Sequence, residues 1–167
     1  NSARLMFNGP VSLNGTKQYP INVKSLDGTG IIVFSSRGGL VKITHTNFKD
    51  FNLLSNIPDK VFTTSALNIT DAKIYLENVY VKNVTGEDAL NIVNSKGHIA
   101  SLFITGNSLS DCLDVDFSNL FINELITKNC GNDGIDFSFS TIEGNVFTSQ
   151  NVGDKALSVG ENTILKL

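Results

Sequence analysis

The chain has 167 residues, of which 41% are hydrophobic, enough to fill the core of one domain. No uncharged apolar run reaches the roughly 18 residues that a membrane-spanning helix needs, so the sequence predicts no membrane span. A net charge of −3 excludes a strongly basic nucleic-acid-binding protein.

The first 62 residues are less regular than the rest of the chain. Residues 1–30 carry short strand-like segments separated by turn sequences such as Asn8-Gly9-Pro10 and Asn14-Gly15, which predicts irregular N-terminal coils. Residues 30–36 and 40–44 indicate two strands of one early coil. Residues 48–62 contain Pro58 and interrupt the pattern, so we predict a loop insertion there that could form one wall of a groove.

One short phrase then recurs four times, at residues 87–93, 110–118, 132–138 and 153–159. Each copy has an aspartate at the same position, at steps of 23, 22 and 21 residues: Asp88, Asp111, Asp133 and Asp154. Apolar and polar residues alternate inside each phrase, which is typical of a strand with one buried face. A strand recurring about every 22 residues predicts an all-β parallel β-helix of about six coils, with regular coils over residues 65–167.

The two cysteines do not indicate a disulfide framework. Cys112 and Cys130 occupy repeat positions that differ by four, so stacked coils would hold their Cα atoms too far apart, and we predict two free thiols. An asparagine also stands three to five residues before each marker aspartate: Asn83, Asn107, Asn129 and Asn151. These amides either form a hydrogen-bonded ladder at one turn or tolerate left-handed backbone there.

Residues 163–167 form an apolar strand with no cap after it. A β-helix has open ends whose backbone groups must be covered. The C-terminal coil therefore predicts either end-to-end contact with another copy or continuation into a longer parent chain, and we favour the longer chain.

Stacking of the coils predicts two columns of polar residues. The turn column contains Asp88, Asp111, Asp133 and Asp154. The outward strand column contains Asn91, Asp114, Asp136 and Ser158, with Asp116 beside it. Two carboxylates about 5 Å apart repel by roughly 3 kcal/mol at an effective dielectric near 20. Backbone N–H donors, protonation or a bound cation must therefore neutralise the columns.

Three interpretations of the columns stay open. The turn aspartates could accept hydrogen bonds from local backbone, as in Asx turns. The strand column could bind Ca²⁺, which takes 6–8 oxygen ligands, through Asp114, Asp116 and Asp136. The turn column could catalyse glycoside hydrolysis, which needs two carboxyl groups about 5 to 9.5 Å apart. The catalytic candidates are Asp111, Asp133 and Asp154, with Lys155 binding an acidic sugar or holding a carboxylate ionised.

Coil length, turn asparagines and outward acids together resemble the right-handed parallel β-helix proteins of the pectin-lyase-like superfamily. Asn132-Asp133-Gly134-Ile135 is similar to the Asn-Thr-Asp-Gly motif of polygalacturonase-type hydrolases, and Ser110-Asp111-Cys112 to their Gly-Asp-Asp-Cys motif. The family's Gly-His-Gly and Arg-x-Lys motifs are absent. The resemblance implies a right-handed coil, an extracellular or cell-surface location and a polysaccharide partner, with activity as a hydrolase or a calcium-dependent polyuronide lyase. The alternative is a structural or adhesive solenoid segment of a larger surface protein, without catalysis.

Overall fold

The computed structural model describes residues 4–53, 64–107 and 109–167, and these contain strands and no helix. In chain order the strands are β1 (Arg4–Phe7), β2 (Val11–Asn14), β3 (Ile21–Lys24), β4 (Ile31–Ser35), β5 (Leu40–Lys49), β6 (Leu67–Thr70), β7 (Lys73–Lys82), β8 (Asp88–Val93), β9 (Lys96–Ile99), β10 (Leu102–Asn107), β11 (Asp111–Asp116), β12 (Asn119–Cys130), β13 (Ile135–Ser138), β14 (Thr141–Val152), β15 (Ser158–Val159) and β16 (Ile164–Lys166).

The strands form two sheets in which all neighbouring strands pair in parallel. Sheet A has seven strands, in the order β1-β4-β6-β8-β11-β13-β15. Sheet B contains the nine others, with β16-β14-β12-β10-β7-β5-β2 as its main path. The chain alternates between the sheets, so the fold is a parallel β-solenoid of about seven turns. This confirms the parallel β-helix and adds one turn, because residues 4–24 form a first coil where irregular structure was predicted.

The core consists of aliphatic side chains stacked in rows from one coil to the next. Leu67, Leu90, Leu113 and Ile135 occupy one row of sheet A and are almost fully buried. This row follows directly from the alternation within each phrase, since every second residue of a strand points to the same face. The repeat in the sequence is therefore the repeat of the core.

The segment predicted as an insertion over residues 48–62 is only partly described. Its first residues belong to the solenoid, because β5 continues to Lys49 and the side chains of Phe48 and Phe51 are buried in the core. Asn52 forms bridges to Gly30 and Thr85. Residues 54–62 of the predicted loop lie outside the described residues.

The prediction of two free thiols is wrong, because Cys112 and Cys130 form a disulfide with a Cα–Cα distance of 5.4 Å. The prediction considered only the distance between repeat positions along one strand and left out contacts across a corner of the coil. Cys130 ends β12 and is stacked on Asn107, the last residue of β10. The chain turns a corner after Asn107, and Cys112 lies just past that corner in β11. Both side chains are buried, and the bond crosses the corner between the sheets. It closes a loop of nearly one complete coil.

Left-handed backbone recurs at the two corners that flank sheet A. At the corner before sheet A it occurs at Asp50, Asn83, Gly106, Asn129 and Asn151. The amide of Asn151 donates to Oδ1 of Asn129 at 2.8 Å, so both predicted roles of the turn asparagines are confirmed for this pair. In the coil for which Asn107 was predicted at this position, the left-handed residue is Gly106. Asn107 is buried instead, and its amide donates to the carbonyl of Asp111.

Candidate functional site

The predicted columns exist, because carboxylates about 22 residues apart lie on neighbouring coils. In the ladder between β8 and β11, Asp88 pairs with Asp111. In the ladder between β11 and β13, Asp114 pairs with Asp136, and Asp136 in turn pairs with Ser158 of β15. The side chains of Asp114 and Asp136 point away from the core, because their neighbours in the strand are fully buried in it.

The turn column bonds to the backbone of the next coil, and not to its own local backbone as the Asx-turn interpretation expects. Oδ1 of Asp111 accepts hydrogen bonds from the backbone N–H of Asp133 and from the amide of Asn132, both at 2.8 Å. Oδ1 of Asp133 accepts from the backbone N–H of Lys155 at 2.8 Å. Each of these aspartates therefore fixes the turn of the next coil, while Oδ2 of Asp133 faces the ammonium group of Lys155.

Lys155 lies at the end of the turn column. Its ammonium group is 3.4 Å from Oδ2 of Asp133 and also forms an ion pair with exposed Asp154. The hydrogen bond to Asp154, supported by Asp133, raises the pKa of Lys155 above its ordinary value. The lysine is therefore a cation at neutral pH, which suits charge neutralisation better than proton abstraction.

The strand column is half-buried rather than freely exposed. The amide of Asn91 donates to Oδ2 of Asp114 at 2.9 Å. Burial, reinforced by the charges of Asp88, Asp116 and Asp136, raises the pKa of Asp114 to about 8. Burial also raises the pKa of Asp116 and of Asp136. Oδ1 of Asp136 is buried and has no hydrogen-bond partner.

Asp88 belongs to the turn column, but the catalytic and metal-binding candidates of the sequence analysis leave it out. It is only 4% exposed, and its Oδ2 accepts hydrogen bonds from the hydroxyls of Ser65 and Thr64 and from the amide of Asn91. Burial raises its pKa to about 6. Its position in the first repeated phrase could have identified Asp88 as a candidate. Its hydroxyl donors could not be found in this way, because they come from a coil that lacks the marker aspartate.

One group of three converging carboxylates combines members of the two columns. Oxygen atoms of Asp111, Asp133 and Asp136 all lie within 4.8 Å of one another. Two of these residues were predicted as catalytic and the third as a metal ligand. Asp114 and Asp116, the other predicted metal ligands, are not part of this group. The arrangement offers several oxygen ligands, which are the ligands that Ca²⁺ prefers.

The chain matches no protein-family model, curated protein or solved structure at a level that would assign it to a family. Within the described ranges, no helix is long and apolar enough to cross a membrane.

Proposed function

We propose that the protein binds an extracellular polysaccharide through a divalent cation, most naturally Ca²⁺, held by Asp111, Asp133 and Asp136. The observation that carries the proposal is the approach of these three carboxyl groups to within 4.8 Å of one another. A calcium ion accepts 6–8 oxygen ligands. Three carboxylates leave positions for water and for hydroxyl or carboxylate oxygens of a sugar chain.

The electrostatics of the cluster favour a bound cation. Carboxylates about 5 Å apart repel by roughly 3 kcal/mol at an effective dielectric near 20. Backbone and amide donors bond to Asp111, and Lys155 neutralises Asp133, but Oδ1 of Asp136 has no partner. A cation would supply that partner and reduce the repulsion.

The disulfide supports an extracellular or cell-surface location. Disulfides persist in oxidising compartments and are rare in the cytosol of most organisms. The bond between Cys112 and Cys130 is buried inside the solenoid and crosses the corner between the two sheets. These are features of a structural bond, and a polysaccharide partner would be met in the same compartment.

Calorimetric titration with calcium chloride tests the cation site. We expect the wild-type protein to bind calcium at millimolar concentrations or below. Asp136→Asn should weaken binding about tenfold or more, because it removes one charged ligand. Asp71→Asn is the matched control: Asp71 is exposed, far from the cluster, and its Oδ1 accepts from Asn94, a contact that an asparagine retains. Absence of heat at millimolar calcium would overturn the proposal.

A second candidate function is glycoside hydrolysis, favoured by the separation of the carboxyl groups. The oxygens of Asp111 and Asp133 are within 4.8 Å, close to the roughly 5 Å that a retaining hydrolase uses. A screen for released reducing ends on uronic-acid and neutral glycans tests it. Asp111→Asn or Asp133→Asn should abolish release without lowering the melting temperature. A lower melting temperature with no release from the wild type would instead support the purely structural solenoid.

A further inference from the structure

A groove lies at the corner where the strands of sheet A turn into sheet B, at the opposite end of these strands from Asp111 and Asp133. It encloses about 670 Å³. Its lining includes Arg37, Lys73, Lys96, Asn119, Phe117 and Phe139, and we call it the corner groove. Phe117 lies six residues after Asp111, about 20 Å along the strand, and Phe139 lies three residues after Asp136, about 10 Å along it.

Two exposed phenylalanines form one part of the corner groove. The rings of Phe117 and Phe139 stack with centroids 5.0 Å apart and are inclined by 16°. Phe117 is 59% exposed and Phe139 is 44% exposed. Burial in the core therefore does not account for either residue, and an exposed aromatic pair is a feature of binding surfaces.

The backbone conformation of these two phenylalanines is also unusual for their residue type. Both adopt left-handed conformation, with φ of 50° at Phe117 and 52° at Phe139. The same corner carries Asp71 and Asn94 in preceding coils, also left-handed. Asp and Asn tolerate this conformation, whereas a bulky side chain is strained in it. Two adjacent coils thus have phenylalanine at a left-handed position where the preceding coils have Asp71 and Asn94, which adopt this conformation more easily. Backbone strain of this kind clusters at functional sites.

Cations form the other part of the groove. Lys73 and Lys96 pair directly in the ladder between β7 and β9, about 4.8 Å apart, and Arg37 lies beside them. In the part of the chain that the structure describes, none of the three is within 4.0 Å of a carboxylate oxygen. Asp71 is the acid in the groove, and its Oδ1 accepts a hydrogen bond from Asn94. The groove is therefore basic, although the chain has a net charge of −3.

We propose that the corner groove binds an acidic oligosaccharide, one that carries carboxylate or sulfate groups along an extended chain. Lys73, Lys96 and Arg37 would pair with its anionic groups, and Phe117 and Phe139 would contact the apolar C–H faces of its sugar rings. Asn119 offers an amide for hydroxyl groups. The groove spans about five coils, or roughly 19 Å between the first and last, which accommodates several sugar residues.

Other anionic polymers fit the corner groove less well. An extended peptide would bind by adding a strand to a sheet edge, but this groove crosses paired strands whose backbone groups are already bonded to each other. A nucleic acid binds tightly when many basic side chains neutralise its phosphates, and the described lining of this groove contains three cations. An acidic sugar chain uses both the cations and the phenylalanines.

The inference rests on the proposed function only for the ligand class, because the site is different and needs no metal. Binding should therefore be measured in EDTA at low salt, with a short oligogalacturonate and a sulfated heparin-derived oligosaccharide as probes. We expect the wild-type protein to bind one or both of them, and the two probes distinguish carboxylate from sulfate recognition. Binding that appears only with calcium would assign the ligand to the acidic cluster and overturn the corner groove.

The decisive variant replaces both phenylalanines by the residue type that occurs one coil earlier. Phe117→Asn with Phe139→Asn should weaken binding about tenfold or more and leave the melting temperature unchanged or higher. Lys73→Ala with Lys96→Ala should weaken binding by a similar factor. Retained affinity in the phenylalanine variant would overturn the proposal, whatever happens to its stability.

Matched controls come from another face of the solenoid. Phe103→Ala with Lys82→Ala removes a stacked aromatic ring and a lysine from the outer surface of sheet B. This variant should bind the probe as the wild type does. A neutral oligosaccharide of equal length should bind about tenfold more weakly or not at all. Equal binding of the neutral probe, or of a single-stranded oligonucleotide, would contradict recognition of an acidic sugar chain.

Discussion

Asp114, in the strand column, lies in an environment that strongly disfavours its charged form. Burial and the neighbouring carboxylates raise its pKa to about 8, from an ordinary value of 3.8. Between about pH 4 and pH 8 the folded protein therefore holds a proton that the unfolded chain has lost. By linkage, the free energy of unfolding falls as pH rises through this window, by at most about 1.4 kcal/mol per pH unit for one group.

We expect Asp114→Asn to weaken this dependence of stability on pH, because the amide mimics the neutral carboxyl group. Near pH 8 the variant should be more stable than the wild type by on the order of 1 kcal/mol, after discounting for the partial exposure of the side chain. Urea unfolding at several pH values between about 5 and 8 measures both effects. Asp71→Asn should keep the wild-type slope, and an unchanged slope in Asp114→Asn would refute the assignment.

At the residue scale, the sequence predicts which residues lie side by side on adjacent coils better than it predicts how buried they are. The four phrases place Asp114 beside Asp136 because each coil consumes a nearly constant length of chain. They do not predict which carboxylates are buried. Asp88 is buried, and its hydroxyl donors, Ser65 and Thr64, come from a coil that lacks the marker aspartate. The two cysteines meet across a corner, a contact that alignment within columns cannot find.

At the element scale, a ladder of buried serines connects the strand ends of sheet A. The backbone N–H of Ser95 donates to the hydroxyl of Ser118, and the N–H of Ser118 donates to the hydroxyl of Ser140, each at 3.0 Å. All three serines are buried. Their spacing of 23 and 22 residues was visible in the sequence, but serine is common at turns for other reasons.

The ladder predicts the effect of removing one hydroxyl. Ser118→Ala leaves the buried N–H of Ser95 without its acceptor, so we expect the free energy of unfolding to fall by about 1–3 kcal/mol. Ser12→Ala, at an exposed position of β2, should change it by less than about 0.5 kcal/mol. Urea denaturation of the two variants under identical conditions makes the comparison. Equal effects would mean that the ladder contributes nothing specific.

The disulfide gives a second prediction for a single coil. It joins residues 18 apart in the chain, and in the loop-entropy model a loop of this length stabilises the folded state by about 3 kcal/mol. We expect the double variant Cys112→Ala with Cys130→Ala to lose about this amount. Reductant should shift the urea midpoint of the wild type and leave that of the double variant unchanged. A wild-type midpoint insensitive to complete reduction would contradict this account.

At the scale of the whole molecule, burial is concentrated in the middle of the solenoid. Within the described ranges, the nearly fully buried hydrophobic residues run from Ile31 to Ile142. The strands of the first coil, β1 to β3, have only partly buried or exposed residues, and so do β15 and β16. In a solenoid each coil is stabilised by its neighbours, so stability should vary along the axis.

Amide hydrogen exchange followed by mass spectrometry measures that gradient. We expect peptides from β8 to β12 to exchange most slowly, because their coils have neighbours on both sides and contain the disulfide. Peptides from β1 to β3 and from β15 and β16 should exchange fastest. Reducing the disulfide should speed exchange in β11 and β12 more than in β5 and β7. Uniform protection from one end to the other would show that the chain unfolds as a single cooperative unit, which nearest-neighbour stabilisation does not predict.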